Sequence, residues 1–117
     1  MNINRQAVVV KAKQPFVDWI NSTPREPGDE LPRFTLEQVN TDCLVLLIPE
    51  FDSNEEARKQ VRHIKMDIFE ESLEAWFTEE DYWPKNRNEK MFDEWFELEI
   101  HSDLIDTVDD PIEKENW

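Results

Sequence analysis

The segment from Ser53 to Phe77 constrains the fold most, because it is the longest stretch of the chain with helical periodicity. Its apolar residues repeat at three, four or seven positions and form two neighbouring rows, Ala57, Val61, Ile64, Ile68 and Ala75 in one and Phe69, Leu73 and Trp76 in the other. Rows at this spacing predict one amphipathic helix whose apolar stripe is wide enough to cover a sheet. Ser53 and Glu56 form a capping-box pattern, which predicts the helix start.

Three shorter segments have the composition of β-strands. Ala7 to Lys11 is rich in β-branched residues, and Cys43 to Ile48 is apolar throughout. The uninterrupted apolar run predicts a central strand that is covered on both faces. From Phe96 to His101, apolar and polar residues alternate, which is typical of a strand with one buried face.

Short helices are predicted between the strands. Pro15 to Asn21 has helical spacing behind a proline, and Asn88 to Trp95 has the same spacing. Thr35 and Gln38 offer a second capping-box pattern with room for one helical turn. Thr23 to Arg33 contains three prolines and the chain's single glycine, which predicts a surface loop.

The order of these elements predicts an α+β fold. We expect a small three-stranded sheet covered on one face by the long central helix and the shorter helices. Residues 1–106 form a single globular domain in this prediction, because 117 residues suit one compact core. Residues 107–117 are acidic around Pro111 and predict a mobile tail, which Ile112 and Trp117 could dock.

Charge is the strongest compositional signal. The chain has 28 acidic and 13 basic residues and a formal net charge of -15, which disfavours direct binding to nucleic acid. Basic residues gather at Arg58, Lys59, Arg62 and Lys65, and none lies between Met66 and Pro84. That interval holds Asp67, Glu70, Glu71, Glu74, Glu79, Glu80 and Asp81.

This acidic interval predicts a docking surface for a basic protein partner. The surface could attract that partner by imitating the charge pattern of nucleic acid. Like charges four residues apart in a helix repel each other and destabilise the helix, so the presence of such pairs in this interval favours a binding role. Tyr82 and Trp83 follow in a predicted loop, where they either join the core or contact the same partner. The alternative is that the acids only keep the protein in solution.

Several function classes are excluded or disfavoured. With Gly28 as the only glycine, the chain has no glycine-rich phosphate loop and no nucleophile elbow. Cys43 is the only cysteine, which excludes an internal disulfide and favours a small buried residue. The chain shows no signal-peptide pattern or apolar run of membrane-spanning length, so we expect a cytoplasmic protein without a membrane association.

Two weaker site patterns remain. His63 lies four residues before Asp67, with Glu70 and Glu71 one turn further on, a spacing that could hold a divalent ion and supports a metal-dependent hydrolase as an alternative. Glu97 and Glu99 share one strand face at a separation near that of paired glycosidase carboxylates, but a solvated acidic face is the favoured explanation. We therefore predict no catalytic residue, metal or cofactor.

The favoured interpretation is a small non-catalytic protein-binding or regulatory module. A structural homodimer is a further alternative, because the apolar strand from Cys43 to Ile48 requires cover on the sheet face that the helices leave open.

A set of short segments is similar to one known group. These are Lys13 to Trp19, Leu47 to Glu50, Ile68 to Glu71, and Trp95-Phe96 leading into Ile100 to Ser102. The chain resembles a group of small acidic bacterial proteins, sometimes labelled VacJ, without assigned function. The resemblance covers most of the chain and implies a bacterial protein, and it assigns no functional residue.

Overall fold

The structure is a computed structural model that describes residues 2–22 and 33–115. All but the last residue of the predicted loop from Thr23 to Arg33 lie outside the described residues, and so does Trp117. In the two described ranges, no helix is both long enough and apolar enough to cross a membrane.

Three antiparallel strands form the sheet, which confirms the α+β prediction. They are β1 (Arg5–Ala12), β2 (Leu44–Pro49) and β3 (Phe96–His101), in the spatial order β2-β1-β3. β1 places Val8 opposite Leu46 on one side and opposite Ile100 on the other. Directly opposed residues of an antiparallel pair project to the same face, so this set faces the helices.

The prediction that Cys43 to Ile48 forms a central strand is wrong in position. β1 takes the centre because it pairs with both other strands, and β2 is left at an edge. Val45 and Leu47 project to the open face of the sheet and are 54% and 49% exposed. The apolar run therefore lacks the cover on both faces that its composition predicts.

In the part of the chain that the structure describes, five α-helices and two 3₁₀ turns lie between the strands. The helices are α1 (Gln14–Ser22), α2 (Leu36–Val39), α3 (Asn54–Val61), α4 (Lys65–Glu74) and α5 (Glu89–Trp95), and the turns are Arg62–Ile64 and Glu80–Tyr82. The three short helices predicted from the sequence are thus confirmed, with small differences at their ends.

The predicted single helix from Ser53 to Phe77 is interrupted. The 3₁₀ turn Arg62–Ile64 separates α3 from α4, and the second helix ends at Glu74. α3 contacts β3, whereas α4 contacts α5. The two apolar rows seen in the sequence therefore belong to two helices with different neighbours.

The helix starts agree with the capping patterns. The Thr35 side chain accepts a hydrogen bond from the Gln38 N–H, and the Gln38 side chain accepts one from the Thr35 N–H, which completes the predicted capping box. Ser53 accepts from the Glu56 N–H at 3.2 Å and so fixes the first turn of α3.

The core is dominated by aromatic rings between the sheet and the helices. Phe69 of α4 lies at its centre, with ring centroids 5.9 Å from Phe92, 5.5 Å from Trp95 and 5.6 Å from Phe96. Phe16 of α1 joins the same cluster through Phe96 at 4.7 Å. Tilted and edge-on contacts of this kind add to the free energy of burying the rings.

Candidate functional site

The exposed side of α4 carries the first part of the acidic interval. The opposite side buries Ile68, Phe69, Ser72 and Leu73, which fixes the orientation of the helix. Asp67, Glu70, Glu71 and Glu74 are spaced three, four and seven residues from the first, and all four are exposed. Residues three and four apart are neighbours on a helix, so these carboxylates form one continuous stripe.

Three further exposed carboxylates, Glu79, Glu80 and Asp81, lie in the turn that follows α4 in the chain. We define the acidic face as Asp67, Glu70, Glu71, Glu74, Glu79, Glu80 and Asp81, all of which are exposed. Within residues 2–22 and 33–115, Glu70 is the one member that forms an ion pair, with the Arg87 guanidinium at 3.4 Å. The other six carboxylates are not neutralised by any described basic residue.

Two tryptophans hold the acidic turn in place. The Trp83 indole N–H donates to the Phe77 carbonyl oxygen at 2.8 Å. The Trp19 indole N–H, from α1, donates to the Tyr82 carbonyl oxygen at 2.9 Å. Glu79, Glu80 and Asp81 lie between these two anchored points, so the position of the turn relative to α4 is set by the core.

Tyr82 and Trp83 separate into two roles. Tyr82 is 41% exposed and lies beside the acidic turn, with its ring edge-on to Phe77 at 6.5 Å. Trp83 is only 8% exposed, and the Arg87 guanidinium lies over its ring at 5.6 Å. Core packing and the Arg87 cation therefore cover most of the Trp83 ring, and a contact between Trp83 and a partner stays a prediction.

The structure does not bring the proposed metal ligands together. His63 lies in the 3₁₀ turn, outside α4, which alters the helical spacing between it and Asp67. Among the described residues, no three His, Cys, Asp or Glu side chains are grouped closely enough to hold a metal ion.

Glu97 and Glu99 lie on the open face of the sheet, as the strand alternation predicts. Glu99 binds the Lys11 ammonium at 2.8 Å and lies 3.4 Å from His101 Nε2. The hydrogen bond from Lys11, with a smaller one from His101, lowers the pKa of Glu99. The same bond raises the pKa of Lys11.

A second charged region joins α3 and α4 to α5. The Arg62 guanidinium binds both oxygens of Glu89, at 3.0 and 3.4 Å, and the Lys65 ammonium binds Glu89 at 3.3 Å and Asp93 at 2.8 Å. The hydrogen bonds from Arg62 and then Lys65 lower the pKa of Glu89. The clustering of basic residues was visible in the sequence, but their carboxylate partners lie about 25 residues away and had no local signal.

No protein-family model, curated protein or solved structure matches this chain at a significant level. The resemblance to the group of small acidic bacterial proteins therefore stays a prediction. What the protein does has to follow from the chemistry of its own surface.

Proposed function

We propose that this protein is a non-catalytic, cytoplasmic binding module that docks a basic protein through the acidic face. The observation that carries the proposal is that all seven carboxylates are exposed, four of them in one stripe on α4, while only Glu70 has a basic partner among the described residues. A surface of this kind attracts a positively charged protein and accelerates its association.

In the free protein, repulsion between the carboxylates of α4 lowers the stability of the helix. Asp67 with Glu71 and Glu70 with Glu74 are like-charge pairs four residues apart, and each destabilises a helix by a few tenths of a kcal/mol, on the order of ~0.2–0.5. Glu71 and Glu74 also lie in the last turn of α4, where the helix dipole disfavours negative charge. Lys or Arg side chains from a partner would relieve both effects.

Tyr82 supplies an apolar contact at the end of the acidic face. Interfaces draw much of their binding energy from a few aromatic residues, and charged residues around them contribute mainly to rate and specificity. An exposed tyrosine beside unpaired carboxylates fits this division. Tyr82, and not Trp83, is the aromatic residue that we assign to the interface.

The test compares two variants with the same net charge. Glu71→Lys with Glu74→Lys reverses two members of the acidic face and leaves the Glu70–Arg87 ion pair intact. Asp109→Lys with Asp110→Lys makes the same change at two exposed residues after β3 that are not members of the acidic face. Both variants and the wild-type protein are immobilised, and captured proteins are identified by mass spectrometry at about 0.15 M salt.

If the acidic face docks a partner, one or a few basic proteins should bind the wild type and the variant with Asp109→Lys and Asp110→Lys. The variant with Glu71→Lys and Glu74→Lys should not capture them. Their binding should weaken as salt is raised, because exposed charges are screened. Equal capture by all three proteins would contradict the proposal. Equal loss from both variants would show that only net charge matters, which supports the solubility explanation.

A second candidate function is a structural homodimer formed through β2. This strand lies at the sheet edge, has no charged residue over its six positions, and exposes Leu44, Val45 and Leu47. Edge strands in monomeric proteins are usually protected by charges, prolines or bulges, since an unprotected apolar edge pairs with another strand. Pairing of β2 with its copy would give one continuous sheet, satisfy the free backbone groups of the edge and place the exposed apolar side chains of the two copies beside each other.

Sedimentation velocity tests this candidate with a matched pair of substitutions. Val45→Lys should dissociate the dimer, whereas Val108→Lys, at another exposed apolar residue outside the sheet, should not. A wild-type protein that sediments as a monomer at micromolar concentration would rule the dimer out.

A further inference from the structure

A groove with a positively charged rim lies between α3 and β3, away from the acidic face. Its volume is about 290 Å³. The lining residues are Arg58, Lys59, Arg62 and Lys65 on the basic side, Glu55 and Asp93 on the acidic side, and Phe96 and Leu98 as the apolar floor. A neighbouring cavity of about 340 Å³ shares Lys59 and Arg62 with it.

The four cations of the groove differ in how far they are neutralised. Arg62 and Lys65 are engaged by carboxylates of α5, and the Lys65 side chain is only 13% exposed. Arg58 donates to the Leu98 carbonyl oxygen at 3.4 Å, which aims its guanidinium along the β3 edge. Within the described ranges, neither Arg58 nor Lys59 forms an ion pair.

Arg58 and Lys59 are the two basic residues lining the groove that have no carboxylate partner among the described residues. Acidic residues outnumber basic ones by 28 to 13, so carboxylate partners are abundant. Arg58 and Arg62 are also four residues apart, a like-charge spacing that destabilises a helix. Arg58, Lys59 and Arg62 therefore line one groove with an apolar floor, and only Arg62 is neutralised by a carboxylate among the described residues.

We propose that this groove binds the phosphate group of a small phosphate monoester. A phosphate dianion offers three terminal oxygens, which matches the donors of Arg58, Lys59 and Arg62. Guanidinium groups bind phosphate oxygens in pairs, and the lysine ammonium adds a compact charge. Leu98 gives the organic part of the ligand an apolar surface.

The size and the remaining charges of the groove limit the ligand. Ligand sites usually have volumes of about 300–1,000 Å³, so this groove suits a ligand near the lower limit. Glu55 and Asp93 would repel a second anionic group and would accept hydrogen bonds from hydroxyl groups. These features favour one phosphate on a small neutral body over an extended polyanion.

Isothermal titration calorimetry tests the assignment with two probes, inorganic phosphate and phenyl phosphate. Titrations are made at fixed ionic strength in chloride, above the second phosphate pKa of about 6, so that the dianion predominates. We expect saturable binding of both probes and tighter binding of phenyl phosphate, because its ring can contact Leu98. Binding of inorganic phosphate that is as tight or tighter would identify free phosphate as the ligand and overturn the monoester.

Three variants locate the site. Lys59→Gln and Arg58→Gln should each weaken phenyl phosphate binding at least about tenfold, since each removes a charge-assisted hydrogen bond. Lys85→Gln removes the same charge from a residue that does not line the groove, and it should leave binding unchanged. The Lys59 side chain has no hydrogen bond to any described residue, so its variant should retain the wild-type fold by circular dichroism.

Any of three results would overturn the proposal. These are the absence of saturable binding, wild-type affinity in a folded Lys59→Gln protein, and an equal loss of affinity in Lys85→Gln. The acidic face is unaltered in all these variants, so loss of phosphate binding with retained capture of a basic protein would separate this site from the proposed docking function.

Discussion

Trp83 donates its indole N–H to the backbone carbonyl oxygen of Phe77 at 2.8 Å, and this bond closes the turn that carries Glu79, Glu80 and Asp81. The ring is buried, and Arg87, which lies over it, also binds Glu70 on α4. The bonds from Trp83 and Trp19 thereby attach the acidic turn to the core at both of its ends.

Trp83→Phe should destabilise the protein by about 1–3 kcal/mol, because it removes the donor and leaves the part-buried Phe77 carbonyl oxygen without its partner. Urea unfolding followed by circular dichroism measures the change. Tyr82→Phe is the control, since Tyr82 is exposed and its backbone bond from Trp19 survives the substitution. It should change stability by no more than about 0.5 kcal/mol. Equal stabilities of the two variants would show that the indole bond contributes nothing.

Asn40 completes the sheet beside β1 without belonging to a strand. Its side-chain oxygen accepts from the Ala12 N–H at 2.8 Å, and its side-chain nitrogen donates to the Ala12 carbonyl oxygen at 3.0 Å. The amide thus provides the pair of hydrogen bonds that a neighbouring strand residue would make. No sequence pattern pointed to this role, because the partner is 28 residues away.

Asn40→Asp should destabilise the protein by about 1–3 kcal/mol at neutral pH. The carboxylate can still accept from the Ala12 N–H, but it cannot donate and it repels the Ala12 carbonyl oxygen. Asn86→Asp introduces the same charge at an exposed position and serves as the matched control. Thermal unfolding of the two variants should differ clearly, and an Asn40→Asp protein as stable as Asn86→Asp would contradict the bridging role.

The helices and strands could be predicted wherever the spacing of apolar residues is regular. Alternation from Phe96 to His101 and the helical rows after Ser53 identified the elements, since each element must bury one face. The position of β2 at the sheet edge was not predictable, because an apolar strand has the same composition whether it pairs with a strand on both sides or on one side only. Strand order depends on pairing between distant segments, and only the structure shows that β1 pairs twice.

The charge of the candidate site was predictable from the sequence. The burial of its aromatic side chains was less predictable. The absence of basic residues between Met66 and Pro84 located the acidic face, and all its carboxylates are exposed. The burial of Trp83 had no sequence signal, since a tryptophan before a proline suits both a surface loop and a core contact. Likewise, the 3₁₀ turn at Arg62–Ile64 separates two helices that contact different elements of the fold. The rows of apolar residues do not show where such a break falls.

The Glu89 cluster predicts a defined dependence of stability on pH. Hydrogen bonds from Arg62 and Lys65 lower the pKa of Glu89 from its ordinary value of 4.5. A carboxyl group with a lowered pKa in the folded state stabilises the protein above its unfolded pKa, and that stability is lost as pH falls through the folded pKa. Glu89→Gln should therefore be less stable than wild type at neutral pH, and the difference should vanish well below pH 4.5.

Urea unfolding at several pH values measures this difference directly. Glu99 has a lowered pKa for the corresponding reason, its bond to Lys11, so Glu99→Gln should show the same direction of change. A difference between wild type and Glu89→Gln that is constant with pH would mean that the carboxylate has no favourable charge interaction in the folded state.

Gln6 offers a route to higher stability. It lies on the helix-facing side of β1 opposite Ile48, is only 4% exposed, and its buried side-chain oxygen has no hydrogen-bond partner among the described residues. Burying a polar group without a partner costs about 1–3 kcal/mol in proteins. Gln6→Met has a similar shape and removes the unpaired oxygen, so it should raise the free energy of unfolding by about 1 kcal/mol. Gln60→Met makes the same change at an exposed position of α3 and should have little effect. A loss of stability in Gln6→Met alone would show that a buried water satisfies the oxygen in solution, since removing such a water's partner is costly.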